Sequence, residues 1–165
     1  MTLSPTLRAT APGEKLTFED FVPGLTVDID GPTITEAQIV EFGRAYDPQV
    51  FHVDPEAARA GPFGGVIASG FMTTAITMRL ICDAYLLRSA GLASPGLESL
   101  KWLRPVRPGD RLRVRMTVES ARESRSKPDR GTVLHRWDVF NQSDEVVMTM
   151  TGYSIFLKRT STPQA

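Results

Sequence analysis

The chain has 165 residues, with nineteen basic side chains against nineteen acidic ones. That length suits one domain with a single core, and the balanced charge gives no support to a nucleic-acid partner. The single cysteine, Cys82, rules out an internal disulfide and suits a reducing compartment.

Residues 1–13 lack the basic start and apolar run of a secretory leader. Their Thr, Ser, Pro and Ala content predicts a flexible arm, and a cytoplasmic location is expected. The domain is expected over 14–158, with a tail at 159–165. Leu16 to Phe21 is short and amphipathic, and Pro23-Gly24 turns the chain. Leu25 to Asp30 reads as a first strand, with Val27 and Ile29 on one face, broken by Gly31-Pro32. Thr35 and Gln38 have the spacing of a capping box. Ile39, Phe42 and Ala45-Tyr46 follow at helical spacing, which predicts a helix over Thr35 to Tyr46. Pro48 stops it, leaving Asp47 and His52 on a loop. Asp54-Pro55 reads as the cap and first position of a second short helix, Pro55 to Ala60. Gly61-Pro62 and Gly64-Gly65 give turns.

Ser69 to Ser89 is the longest apolar segment. Thr73, Thr74, Thr77, Arg79, Asp83 and Arg88 interrupt it too often for a membrane span. Its apolar residues cover most of the circumference, so it reads as a helix roughly 30 Å long and buried nearly all round. Gly91 to Gly96 is a break and Leu97 to Leu103 a strand. Arg111 to Ala121 alternates, with Leu112, Val114, Met116 and Val118 facing inward and Arg111, Arg113 and Arg115 outward. Thr132 to Phe140 and Val146 to Leu157 are two more strands. One early strand, helices, a long buried helix and then four strands predict an α+β domain. An antiparallel sheet curled around the helix is the economical way to cover it.

Chemistry concentrates in Tyr46 to Gly70. Asp47 stands five positions before His52, and Ala68-Ser69-Gly70 opens the long helix. An acid and a histidine can move protons, and a helix start can hold an anionic oxygen. Each has a structural alternative. His52 can be a loop histidine bonded to the backbone, Asp47 a helix-end residue, Ser69 a helix cap and Gly65 a turn glycine. Cys82 reads as inert core and His135 as a sheet-face residue. No cluster of His, Cys and carboxylates suggests a metal.

Asp47-Pro48-Gln49-Val50-Phe51-His52, Asp54-Pro55 and Phe63 to Gly70 resemble the MaoC-like dehydratases, relatives of the (R)-specific enoyl-CoA hydratases. Leu100 to Asp110 resembles the strand-turn-strand that follows the central helix in that family. The resemblance runs from about Phe18 to Leu157. It implies the hot-dog fold, five antiparallel strands around the long helix, and a homodimer with sheets joined edge to edge. It implies substrates that are acyl thioesters of coenzyme A or acyl carrier protein, with no separate cofactor. Asp47 and His52 match the catalytic pair, and Gly70 matches the glycine whose N–H faces the thioester oxygen. Phe51, Gly65, Ser69, Arg104 and Arg107 are candidates for substrate binding. Arg104 and Arg107, with Lys101, either meet coenzyme A phosphates or form an exposed basic strand end. The sequence departs from the family at Gln49, Val50 and Phe51, which replace asparagine, proline and an aliphatic residue, and at Met78, where some hydratases carry serine.

The activity implied is reversible hydration of a 2-enoyl thioester. A hot-dog thioesterase and a non-catalytic subunit of a heteromeric dehydratase are the competing readings.

Overall fold

A computed structural model of the chain describes residues 7–161. Five strands run in chain order: β1 (Thr26–Thr33), β2 (Gly91–Trp102), β3 (Arg111–Glu123), β4 (Arg130–Phe140) and β5 (Val146–Leu157). They form one antiparallel sheet in the spatial order β1-β3-β4-β5-β2. Period-two alternation sets which face turns inward. Val114, Met116 and Val118 of β3 pair with Val139, Trp137 and His135 of β4. Trp137 and Val139 pair in turn with Met150 and Met148 of β5. All of these side chains are buried. The opposite face is wet, as the arginine row predicts. There Arg115 grips Asp28 with bonds of 2.8 and 2.9 Å, and the Arg113 guanidinium lies 4.4 Å over the Phe140 ring.

The helices precede β2. Thr35 caps α1 (Glu36–Tyr46) through the expected capping box with Gln38. Two short helices follow, α2 (Val50–Val53) and α3 (Pro55–Arg59), the latter capped by Asp54. Then comes α4 (Gly70–Ile81), whose last turn widens into a π-helical segment, Cys82–Leu86. Met72, Ile81 and Tyr85 join the sheet's apolar face in one core. Tyr85 is fully buried there, and its hydroxyl accepts a 3.0 Å hydrogen bond from Trp137 Nε1. Burial pushes its phenol well above the usual tyrosine range. Among the described residues no helix is long and apolar enough to cross a membrane.

Five expectations are corrected. Gly31-Pro32 does not end β1; the strand continues to Thr33 through a register shift after Asp30, and a Cβ at Gly31 would lie 2.7 Å from the Leu112 carbonyl oxygen. Close packing against β3 is what that glycine permits. Gly91 to Gly96 is not a break but the first half of β2, which absorbs its irregular residues in three register shifts against β5. His52 lies on a one-turn helix rather than an open loop, because its N–H bonds the Gln49 carbonyl at 2.8 Å. The long helix is buried on one side only. Phe71 and Met78 are exposed, as is Leu87 beyond its end, since the sheet covers a single face of it.

The fifth concerns the arm. Residues 7–13, part of the expected flexible stretch 1–13, are tied down. Leu7 packs on the core, and Arg8 bonds Asp20 and Glu14 at 2.6 Å each. Arg88 at the end of the long helix donates to the Arg8 carbonyl at 3.4 Å. From the opposite terminus Arg159 reaches the same Asp20 at 3.0 Å. The remainder of the arm and of the tail lies outside the described residues.

Candidate active site

Asp47 is the residue at which α1 ends. Its N–H still bonds the Gly43 carbonyl at 2.8 Å, but Pro48 prevents another turn. The chain then folds straight into α2, which lies tightly against α1. A Cβ at Gly43 would sit 2.9 Å from the His52 carbonyl oxygen and 2.9 Å from Val53 Cγ1. Gly43 therefore lets the two helices meet closely enough to bring His52 beside Asp47. In sequence it reads only as a weak point in a helix.

The two side chains face each other, with His52 Nε2 3.3 Å from Asp47 Oδ2. The rest of the ring is fixed. Nδ1 lies 2.7 Å from the Ile67 carbonyl oxygen. A carbonyl can only accept, so Nδ1 carries the hydrogen, and Nε2 of the neutral ring presents a lone pair to the carboxylate. Two acceptors at that distance need a shared proton donor between them, or a proton on the ring.

Asp47 is held from two further sides. Ser69 Oγ donates to Oδ2 at 2.7 Å, and Gln49 Nε2 donates to Oδ1 at 2.8 Å. The Ser69 bond and then the Gln49 bond hold the carboxyl below the usual aspartate range. Ser69 does this while capping α4, where its Oγ accepts the Phe71 N–H at 3.2 Å. Gly70 is the first residue of α4, where the backbone N–H has no partner within the helix and the dipole is positive.

Asp47, His52 and Gly70 line one cleft of about 450 Å³. Its other walls are mostly apolar, from Phe51, Phe63, Ile67, Trp102 and Val106 among others. Of the remaining candidates, Phe51 and Arg104 line this cleft. Ser69 is buried behind Asp47 instead. Gly65 stays in its turn, away from the lining. Arg107 serves that same loop, donating from Nη2 to the Phe63 carbonyl at 2.9 Å. Gln49, Phe63, Thr73 and Trp102 also line the cleft and are not among the site residues expected from sequence. Only Gln49 carried a signal, as an unusual residue inside the Asp-to-His spacing.

Residues 13–137 match the family model described as a MaoC like domain. The chain belongs to this family. A curated relative named 3-hydroxyacyl-thioester dehydratase Z, from Mycobacterium tuberculosis, is 41% identical over 108 residues, covering 64% of this chain. The match spans 65% of that relative's own length. Among solved structures, the MaoC-like dehydratase from Rhodospirillum rubrum is 41% identical with a TM-score of 0.82, covering 87% of this chain and 98% of that one. An R-hydratase from Pseudomonas aeruginosa, at 22% identity, shares the shape with a TM-score of 0.71 over 88% of each chain. The MaoC-like domain described here thus has the hot-dog fold, with α4 as its central helix.

Proposed function

We propose that this MaoC-like domain catalyses the reversible hydration of 2-enoyl thioesters, equally the dehydration of 3-hydroxyacyl thioesters. The observation that carries this is the Asp47–His52 pair, 3.3 Å apart in the cleft headed by Gly70. A water donating one hydrogen to Asp47 and the other to His52 Nε2 is aimed by both. Its oxygen adds to the carbon β to the carbonyl, His52 takes its proton, and a proton is delivered to the α carbon. His52 suits the proton-carrying role because the lowered carboxyl pKa makes Asp47 a poor carrier. Asp47 instead orients the water and balances the imidazolium. Charge moving onto the thioester oxygen is met by the Gly70 N–H. Neither metal nor separate cofactor is needed.

The substrate is an acyl thioester of coenzyme A, or of acyl carrier protein, with Arg104 at the mouth of the cleft. The working unit is a homodimer in the cytoplasm. Strand β2 is an outer strand of the sheet, and it exposes Leu92 and Leu97. An apolar edge with unpaired backbone groups favours a second copy in edge-to-edge register.

The test is crotonyl-CoA with the purified chain, following loss of the conjugated thioester absorbance beside Asp47→Asn and His52→Ala variants, with free thiol measured in the same samples. Absorbance loss that requires both side chains, without thiol release, supports hydration. Thiol release identifies a thioesterase. Inertness toward crotonyl-CoA and the longer, branched and carrier-linked enoyl thioesters supports a non-catalytic subunit.

A further inference from the structure

Trp102 ends β2, and its indole folds onto the head of α4. A Cβ at Gly70 would lie 2.5 Å from Cδ2 and 2.8 Å from Nε1 of that indole. The glycine that offers the N–H is therefore also the seat of a tryptophan. The ring is held on two sides. Nε1 donates to Thr74 Oγ1 at 3.3 Å, and Phe71 packs edge-on against the ring with centroids 5.2 Å apart. Thr74 Oγ1 in turn donates to the Gly70 carbonyl at 2.9 Å. The indole thus covers the helix surface from Gly70 to Thr74.

That surface is a row. Gly70, Thr74 and Met78 succeed one another at four-residue spacing and lie along one side of α4. Met78 is exposed, and Met148, the neighbour of Trp102 across β2 and β5, lies 3.4 Å from Thr74 Oγ1 through its sulfur. Beyond the indole the row continues through the half-buried Thr74 and the exposed Met78 thioether, side chains that suit an alkyl chain, with Met148 buried beneath. On the near side the ring itself lines the cleft.

We infer that Trp102 is the specificity-determining residue for acyl length: its indole walls the cleft over Gly70 and restricts the site to compact 2-enoyl groups. This rests on the hydration reading above. An acyl chain that extends along α4 has to displace the ring from Gly70 and break its bond to Thr74. A smaller side chain at this position opens the row toward Met78. A hydrophobic pocket discriminates by methylenes, at about tenfold or more per unit of misfit.

The experiment measures kcat/KM for crotonyl-, hexenoyl-, octenoyl- and decenoyl-CoA with the full chain, Trp102→Phe and Trp102→Ala. Calorimetric binding of the matching saturated acyl-CoAs, which cannot be hydrated, runs in parallel, and melting curves report folding. The wild type is expected to lose activity beyond hexenoyl-CoA. Trp102→Ala is expected to raise the decenoyl-to-crotonyl ratio by about tenfold or more, and Trp102→Phe, which keeps a ring on the glycine, by less. An unchanged length profile in folded variants overturns the inference, as does a wild type that already prefers decenoyl-CoA. If saturated ligands show the length limit and its relief while no enoyl thioester turns over, the hydration reading fails and the role of Trp102 stands. If no thioester binds at all, both fail.

Discussion

The chain contains two histidines, both buried, and they live in opposite surroundings. His52 has a backbone carbonyl on Nδ1 and a carboxylate opposite Nε2, and it opens onto a cleft. His135 is wholly enclosed. Phe21 and Phe156 meet it edge-on, Tyr85 and Trp137 stack beside it, and neither ring nitrogen has a hydrogen-bond partner among the described residues. Desolvation pushes its pKa down to about 4, so it stays neutral through the physiological range. The comparison teaches that burial does not make a histidine useful. Partners that fix one nitrogen and leave the other facing a reactant do.

The sharpest way to break the contrast is to remove each ring. His52→Ala is expected to lower kcat/KM for the enoyl thioester by about a hundredfold or more, with the fold intact by circular dichroism. His135→Leu is expected to leave turnover near the wild-type level and to change acid stability instead. In the wild type the unfolded chain binds a proton near pH 6.5 that the folded chain refuses until about pH 4. Folding stability therefore falls as pH drops through that window, by about 3 kcal/mol in all. Urea titrations at pH 7 and pH 4 should show this loss reduced in the leucine variant. Equal losses in the two proteins would refute the assignment.

Two smaller changes sharpen the comparison from the side of His52. Gly43→Ala improves helix propensity by about 1 kcal/mol, yet the added carbon meets the His52 backbone at 2.9 Å. Overpacking of this kind costs about 1–3 kcal/mol. A lower melting temperature together with reduced activity is expected. Ser69→Ala removes the largest influence lowering the Asp47 pKa. Its carboxyl should then protonate at a higher pH, moving the acid limb of the kcat/KM profile upward. A loss of about tenfold at neutral pH should accompany the shift. A loss of rate with an unmoved acid limb would show that Ser69 acts on the helix start alone.

Much of this is legible in the sequence. The capping box at Thr35, the stop at Pro48 and the Asp54-Pro55 helix start are local, and each follows from the hydrogen bonds that a backbone end leaves open. The alternation of β3 follows from one wet face and one dry face. Harder to read were the glycines. Gly31 and Gly43 look like breakers or weak points in sequence, but each marks a place where another element comes too close for a Cβ. The one-sided burial of α4 is hidden in sequence for a related reason. Its apolar residues cover most of its circumference, while the sheet of one chain covers only one side.

The sequence by itself determined the elements, their inward faces and the Asp47-to-His52 spacing, because these depend on backbone periodicity and on residues a turn or two apart. Only the tertiary structure decided what each side chain meets across the chain. Ser69 reaches Asp47 from 22 positions away, the Ile67 carbonyl fixes His52 from 15, and Trp102 closes over Gly70 from the far edge strand. Such contacts are set by the strand order and by the closeness that glycines permit, and neither leaves a period in the sequence.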